Sequence, residues 1–200
     1  MVAQCPACEN TEWDKEISGN MIICPHCGHR WTFIKKPLFI LSGCSGIGKT
    51  TTAKELQKLT SDFVVLDSDL FYNIMPHDTE VDYYAQIEQI QRLSKDIMQC
   101  GKPIVWTMAG NLDKLSLTYH SRFFSAIHVL VLVCSEDTLR LRMTAGRKIT
   151  DENWIRGSLE YNTFFKTHQQ IGDTKFETRN TDGKAADEIA KTVLQWLQEH

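Results

Sequence analysis

Residues 38–52 read Leu38-Phe39-Ile40-Leu41-Ser42-Gly43-Cys44-Ser45-Gly46-Ile47-Gly48-Lys49-Thr50-Thr51-Thr52. The apolar run Leu38–Leu41 has the composition of a strand buried on both faces. Gly43, four residues, then Gly48, Lys49 and Thr50 follow at once, which is the spacing of a phosphate-binding P-loop, the Walker A pattern. Beyond it Ala53, Leu56 and Leu59 recur at helical spacing. The glycines therefore fall between a strand end and a helix start. There, consecutive backbone N–H groups and the positive end of the helix dipole can converge on an anion. Lys49 adds a full charge for the β- and γ-phosphates, and Thr50 offers a hydroxyl to Mg²⁺. Ser45, Gly46, Ile47 and Thr51 complete the loop that wraps a nucleotide such as ATP. Residue frequencies give only ~0.007 accidental matches to the pattern in a chain this long, and the flanking strand and helix lower that further.

Downstream, Phe63-Val64-Val65-Leu66-Asp67 reads as a second buried strand, followed by Ser68-Asp69. Carboxylates at the carboxyl end of a strand stand where open α/β sheets bind ligands. One can hold Mg²⁺, usually through water, and the other can accept a proton from an attacking hydroxyl. The competing reading is a cap, with Ser68 or Asp69 heading the next helix. Residues 70–80 show no clean period, are rich in aromatics and contain Pro76, so they suit either an acceptor pocket or core. A helix is expected over about 82–100, with Ile87, Ile90, Leu93 and Ile97 on one stripe and Gly101 as its stop. Pro103–Ala109 and His128–Cys134 are the third and fourth strands. The third lacks a terminal aspartate, which leaves Asp67 and Asp69 as the metal-side candidates and Thr107, Asn111 and Asp113 as weaker ones. Arg140, Arg142, Arg147 and Arg156 cluster after the fourth strand, where a bidentate guanidinium suits a transferring phosphoryl group or a stacked base. Lys175–Thr178 is expected to be a fifth strand and about 183–199 a final helix, with Arg179, Asn180 and Thr181 in the turn between them.

Upstream, residues 1–36 read as a separate unit, with residues 37–200 forming the main domain. Cys5-x-x-Cys8 and Cys24-x-x-Cys27 are separated by fifteen residues, a four-thiolate zinc spacing. Four cysteines leave no open coordination position, so the expected Zn²⁺ is structural. His26 and His29 are expected to be exposed knuckle residues, Trp13 and Trp31 packing residues. Lys15, Arg30, Lys35 and Lys36 balance Glu9, Glu12, Asp14 and Glu16, leaving no electrostatic footprint for nucleic acid. Met21–Ile23 and Trp31–Phe33 are the candidate strands of this zinc ribbon. The ribbon is expected to sit close to the main domain, across the short joint Lys35-Lys36-Pro37.

The net charge of -3 argues against a broad nucleic-acid surface. No apolar run approaches the ~20 residues of a membrane span, and no basic-then-apolar leader opens the chain. The expected location is the cytoplasm, where seven cysteines imply metal ligands and buried thiols.

Strand, P-loop, helix, strand with Asp67-Ser68-Asp69, helix, two strands, arginine-bearing segment and terminal helix together resemble the small P-loop kinases of the nucleoside, nucleotide and shikimate kinase group. The resemblance implies an α/β fold with a five-stranded parallel sheet in the order 2-3-1-4-5. It implies that Asp67 serves Mg²⁺ through water and Asp69 meets the acceptor. It implies that Arg142 lies near adenine, that Arg147 and Arg156 lie near phosphates, and that Arg179, Asn180 and Thr181 border the base. Ala109-Gly110-Asn111 departs from the glycine triplet of shikimate kinases, and the ribbon belongs to neither pattern. The function this implies is transfer of the γ-phosphate of ATP to a small hydroxyl or phosphate acceptor. Two alternatives are a nucleotide-regulated module whose ribbon docks a protein or RNA, and a 5′-hydroxyl polynucleotide kinase. The sequence names neither the acceptor nor the choice of ATP over GTP.

Overall fold

The computed structural model describes residues 1–72 and 74–200; Asn73, within the aromatic stretch 70–80, lies outside the described residues. The chain opens with a small antiparallel sheet, β1 (Glu16–Ser18), β2 (Met21–Ile23) and β3 (Arg30–Thr32), paired in that order. There follow β4 (Leu38–Ser42), α1 (Lys49–Leu59), β5 (Val64–Asp67), α2 (Glu80–Ile97), β6 (Ile104–Thr107), β7 (Ile127–Val133), α3 (Glu136–Leu141) and α4 (Glu152–Thr167). A two-residue hairpin, β8 (Gln170–Ile171) and β9 (Thr174–Lys175), leads into β10 (Glu177–Asn180) and α5 (Ala186–Glu199). The main sheet runs β10-β7-β4-β6-β5, all parallel, which is the expected order 2-3-1-4-5 read from its other edge.

The central strands β4, β6 and most of β7 are buried on both faces because nearly every position is apolar, while the edge strands β5 and β10 are partly exposed. Phe39 and Leu41 of β4 and Val105 of β6 pack with Leu56 of α1 and Val193 and Trp196 of α5. Leu38, Ile40 and Trp106 point the other way, onto Ile87 and Ile90 of α2 and Phe165 of α4. Each such side chain removed from water contributes roughly 1.5–3 kcal/mol. The Trp106 indole satisfies its N–H on Ser94 Oγ at 2.7 Å. Among the described residues, no helix is long and apolar enough to cross a membrane.

Four expectations shift. The fifth strand is Glu177–Asn180, not 175–178, because Thr174 and Lys175 are taken by the β8–β9 hairpin. Arg179 and Asn180 are thus strand residues, and only Thr181 follows the strand. The last helix starts at Ala186, later than 183, since Gly183 holds φ 67°. Lys15 is fully buried rather than a solvated partner of surface acids; its ammonium donates to the Glu12 carbonyl at 2.8 Å and to Asp14 at 2.6 Å.

The N-terminal sheet lies on the main body rather than on a tether. Ile22 and Phe33 bury themselves against Phe123, and Trp13 stacks on Tyr119 and meets His120 edge-on at 4.7 Å. Gln99 exchanges two hydrogen bonds with the backbone of Ile34, and the Val2 amide donates to Asp96 at 2.7 Å. Beneath this seam Glu88 of α2 accepts the backbone N–H groups of Tyr119 and His120, each at 2.9 Å, and pairs with the His120 ring. Burial pushes His120 below its ordinary value. Burial alone would raise Glu88, but its bonds from His120 and Tyr119 hold it below the usual carboxylate range. Both groups therefore bind fewer protons folded than unfolded; the His120 contribution is complete above about pH 6.5 and is lost as pH falls below it, and that of Glu88 is lost only below the ordinary carboxylate range. The expected result is a melting temperature that drops on acidification by about 2–4 °C per kcal/mol lost. The slope should be steeper in Glu88→Gln, because the carboxylate that holds His120 up against burial is gone, as differential scanning fluorimetry from pH 8 to 5 will measure.

Candidate active site

β4 ends in the Gly-rich loop, and three glycines there hold positive φ: Gly43 at 138°, Gly46 at 81° and Gly48 at 110°. Two are also fixed by packing. A Cβ on Gly43 would stand 2.7 Å from the Leu132 carbonyl oxygen, and one on Gly46 would stand 2.7 Å from Met143 Cγ. Ile47 is buried beneath the loop, while Thr50 and Thr51 open α1 on its exposed side. The Lys49 ammonium donates to the carbonyls of Gly43 at 2.8 Å and Cys44 at 3.0 Å. Burial pushes Lys49 below its ordinary value; Asp69 and Asp67 counter this, and Arg147 adds to it. These four charged groups therefore share one neighbourhood.

Asp67, the last residue of β5, accepts from Thr50 Oγ1 at 2.9 Å through one carboxylate oxygen. Its other oxygen accepts the Asp69 amide at 3.1 Å, so Asp67, not Ser68 or Asp69, caps the turn that follows. Thr107 lies directly across from Asp67 in the β5–β6 register. The buried hydroxyls of Thr107 and of Ser42 at the end of β4 find no hydrogen-bond partner among the described residues. A hydroxyl, a carboxylate and an orphaned hydroxyl are hard oxygen donors, and this set fits Mg²⁺.

The arginines divide. Arg142 donates to the Ile47 carbonyl at 3.0 Å, to Thr181 Oγ1 at 2.9 Å and to the Thr181 carbonyl at 3.2 Å, tying the loop to the end of β10. Arg147 donates to Ser45 Oγ at 2.7 Å, within the loop. Arg156 stays on the outer side of α4, bonded to Asn153 at 3.0 Å, and does not join them. Arg179 turns back on Glu177 and the Thr178 carbonyl, and Asn180 accepts the Asp182 amide. Of the three candidates in that turn, only Thr181 is brought to the loop.

A cleft of about 570 Å³ opens beside Cys44 and Ser45, walled on the far side by Trp154, Tyr161 and Phe164 of α4. Residues 70–80, which the sequence left as either pocket or core, do not line this cleft among the described residues: Leu70, Tyr72 and Ile74 are exposed, and α4 supplies the aromatics. The missed signal was the aromatic spacing at 154, 161 and 164. Also missed was Asn162, whose side chain is hydrogen-bonded to both the amide and the carbonyl of Cys134 and so seats α4 on β7.

In the N-terminal unit the four thiols of Cys5, Cys8, Cys24 and Cys27 cluster with all sulfurs within 4.8 Å of one another. The Cys5–Cys27 and Cys8–Cys24 sulfurs are 3.7 Å apart. Tetrahedral thiolates ~2.3 Å from Zn²⁺ stand ~3.8 Å from each other, so the cluster fits that ion. The two turns match: Glu9 at φ 61° follows the first pair as Gly28 at φ 74° follows the second. His26 and His29 are exposed, and neither joins the cluster.

Residues 40–162 match the family model described as the AAA domain. No curated protein matches the chain. Solved structures share the fold across 82% of this chain. A sugar kinase from a Janibacter species is 15% identical, with 95% of its own length covered and a TM-score of 0.62. A gluconokinase from Sinorhizobium meliloti is 18% identical, with 92% covered and a TM-score of 0.58. A shikimate kinase from Acinetobacter baumannii, in complex with shikimate, is 19% identical, with 94% covered and a TM-score of 0.53. At these identities the likeness establishes a P-loop kinase fold.

Proposed function

The chain belongs to the AAA domain family, and from that premise we propose that it is a Mg²⁺·ATP phosphotransferase acting on a small acceptor. The observation that carries this reading is the meeting of Thr50, Asp67, Lys49, Asp69 and Arg147 at one loop. The sugar, gluconate and shikimate kinases among the structural neighbours support the choice of a kinase.

In this reading the loop amides and Lys49 hold the β- and γ-phosphates, with Thr50 and Asp67 as the Mg²⁺ side. Mg²⁺, when bound, neutralises charge on the bridging and terminal oxygens. Asp69 takes the proton of the acceptor hydroxyl as its oxygen bonds the γ-phosphorus and the bond to the bridging oxygen of ADP breaks. Arg147 carries the charge that gathers on the transferring group, and Arg142 with Thr181 borders the nucleotide. Arg156 would have to swing inward to take part, and Arg179 and Asn180 would have to leave their strand partners. Residues 1–36 serve as a metal-braced cover on the catalytic unit formed by 37–200.

Asp69→Asn is the test. The general-base role predicts a loss in kcat of about a hundredfold or more, with the Kd for MgATP changed by less than about threefold. Calorimetry and labelled-ATP transfer measure the two. A variant as active as the parent on an acceptor removes Asp69 as the base, and a parent that binds MgATP but transfers to no acceptor removes the kinase reading and leaves a nucleotide-binding module. The docking of Ile22, Phe33 and Trp13 onto the main body leaves that second reading with a ribbon whose apolar face is already covered.

A further inference from the structure

The cleft beside the loop carries information about the acceptor. One end is the phosphate end: Ser45 lines it, and Arg147 bonds Ser45 Oγ at 2.7 Å while standing over the Trp154 ring at 5.7 Å. The body is a set of flat apolar surfaces. Trp154 is 48% exposed and Tyr161 rests on Phe165 at 4.3 Å, while Phe164 stacks on His168 at 4.3 Å. About 570 Å³ is the size of a pocket for a small organic molecule.

The walls are nearly free of charge. Burial pushes the Cys44 thiol and the Tyr161 phenol each up to about 12, so both stay neutral. Among the described lining residues none is a lysine, arginine or histidine, and the single charged one is Glu160, which faces Arg156 on its own helix at 4.0 Å. An acceptor carboxylate entering here meets a carboxylate and finds no guanidinium set aside for it, although a buried anion needs a paired, hydrogen-bonded partner. Arg147 is already at the phosphate end, where the transferring group passes.

We propose that the acceptor is an uncharged alcohol with an apolar ring face, seated on Trp154, Tyr161 and Phe164 with its hydroxyl toward Ser45, and not a sugar acid. This rests on the phosphotransferase reading and names its substrate class. The hydroxyl oxygen forms the new bond to the γ-phosphorus, its proton goes to Asp69, and ADP leaves.

Glucose and gluconate are six-carbon polyols, one a neutral ring and the other an open-chain acid; uridine supplies an uncharged acceptor with an aromatic face, and shikimate an acid that keeps a ring. The full chain should favour glucose or uridine over both acids by about tenfold or more in kcat/KM. Trp154→Ala should raise KM for the preferred acceptor by about tenfold, from loss of ring contact, with KM for MgATP unchanged. Trp154→Arg should shift preference toward gluconate. Because Trp154 is half exposed, both variants are expected to fold. Preferred transfer to gluconate or shikimate overturns the inference while the kinase reading stands, as does an unchanged acceptor KM in Trp154→Ala. Transfer to none of the four, with MgATP bound, overturns the kinase reading and this inference together.

Discussion

Lys49→Ala lowers kcat/KM by roughly 10³–10⁵-fold, the scale on which a single cation aimed at a transferring phosphoryl group acts. The ammonium is held by the Gly43 and Cys44 carbonyls at the mouth of the loop, and Asp67, Asp69 and Arg147 all act on its charge. Burial disfavours that charge, so phosphate oxygens arriving beside it gain more than they would from a lysine in water. Removing it should weaken MgATP as well as slow transfer, which distinguishes it from Asp69→Asn, where binding is kept. Lys49→Arg should not restore activity, because a planar fork does not replace a compact ammonium in a loop this closely packed. Folding should be intact, with a melting temperature equal to or above that of the parent, since a desolvated charge has been taken away. Kinetics within tenfold of the parent would remove Lys49 from the site.

Zinc removal is the second large effect. The three-stranded N-terminal sheet has one small apolar cluster, Ile22, Phe33 and Phe123 with a few partly buried neighbours. That is too little to hold its turns without a staple. Zinc contributes ~10–16 kcal/mol of apparent binding energy in small zinc-finger peptides. Chelation, or Cys24→Ser at a buried ligand, should therefore melt this sheet. Phe123, Lys95 and the end of α2 would then be uncovered. The expected results are one zinc per chain by elemental analysis, a fall of at least about 5 °C in melting temperature on chelation, and loss of amide protection at Ile22 and Phe33. His26→Ala should leave all three unchanged. A chelated chain that melts where the parent does would show that the thiols hold no structural metal.

The P-loop, the buried strands and the four-cysteine cluster were legible because each is written locally, whereas the strand order came only through the family resemblance. Glycines at fixed spacing, apolar runs of strand length and paired thiols report on their own neighbourhoods. What was not legible depends on distant partners. Lys15 belongs to a solvated ribbon by charge balance, yet the Tyr119 hydroxyl accepts its backbone amide at 3.0 Å and the side chain is covered. Glu88 reads as one polar position on an amphipathic helix, but His120, thirty-two residues away, makes it a buried pair. The two arginines that the resemblance sends to the phosphates part company: Arg147 reaches Ser45 across 102 residues, while Arg156, on α4, bonds only locally. The fifth strand was displaced by two residues because Phe176 carries β propensity whether it lies in a strand or, as here, between a hairpin and one. The rings that wall the cleft come from α4, and nothing local in 154, 161 and 164 marks them as sharing one cavity with the loop.

Arg142 has a mechanical consequence. Its guanidinium clasps the loop at Ile47 and the sheet at Thr181, and the next residue, Met143, lies beneath Gly46. The chain is therefore anchored up to this point. Just beyond, five residues wind as a π-turn over Arg142–Gly146, and Lys148 holds φ 57°, a strained angle for a side-chain-bearing residue. Any swing of Arg147 over the nucleotide thus pivots between Met143 and Asp151, with Arg142 as the stationary axle. Spin labels at the exposed neighbours Leu141 and Lys148 should register movement at 148 and none at 141 when MgATP is added.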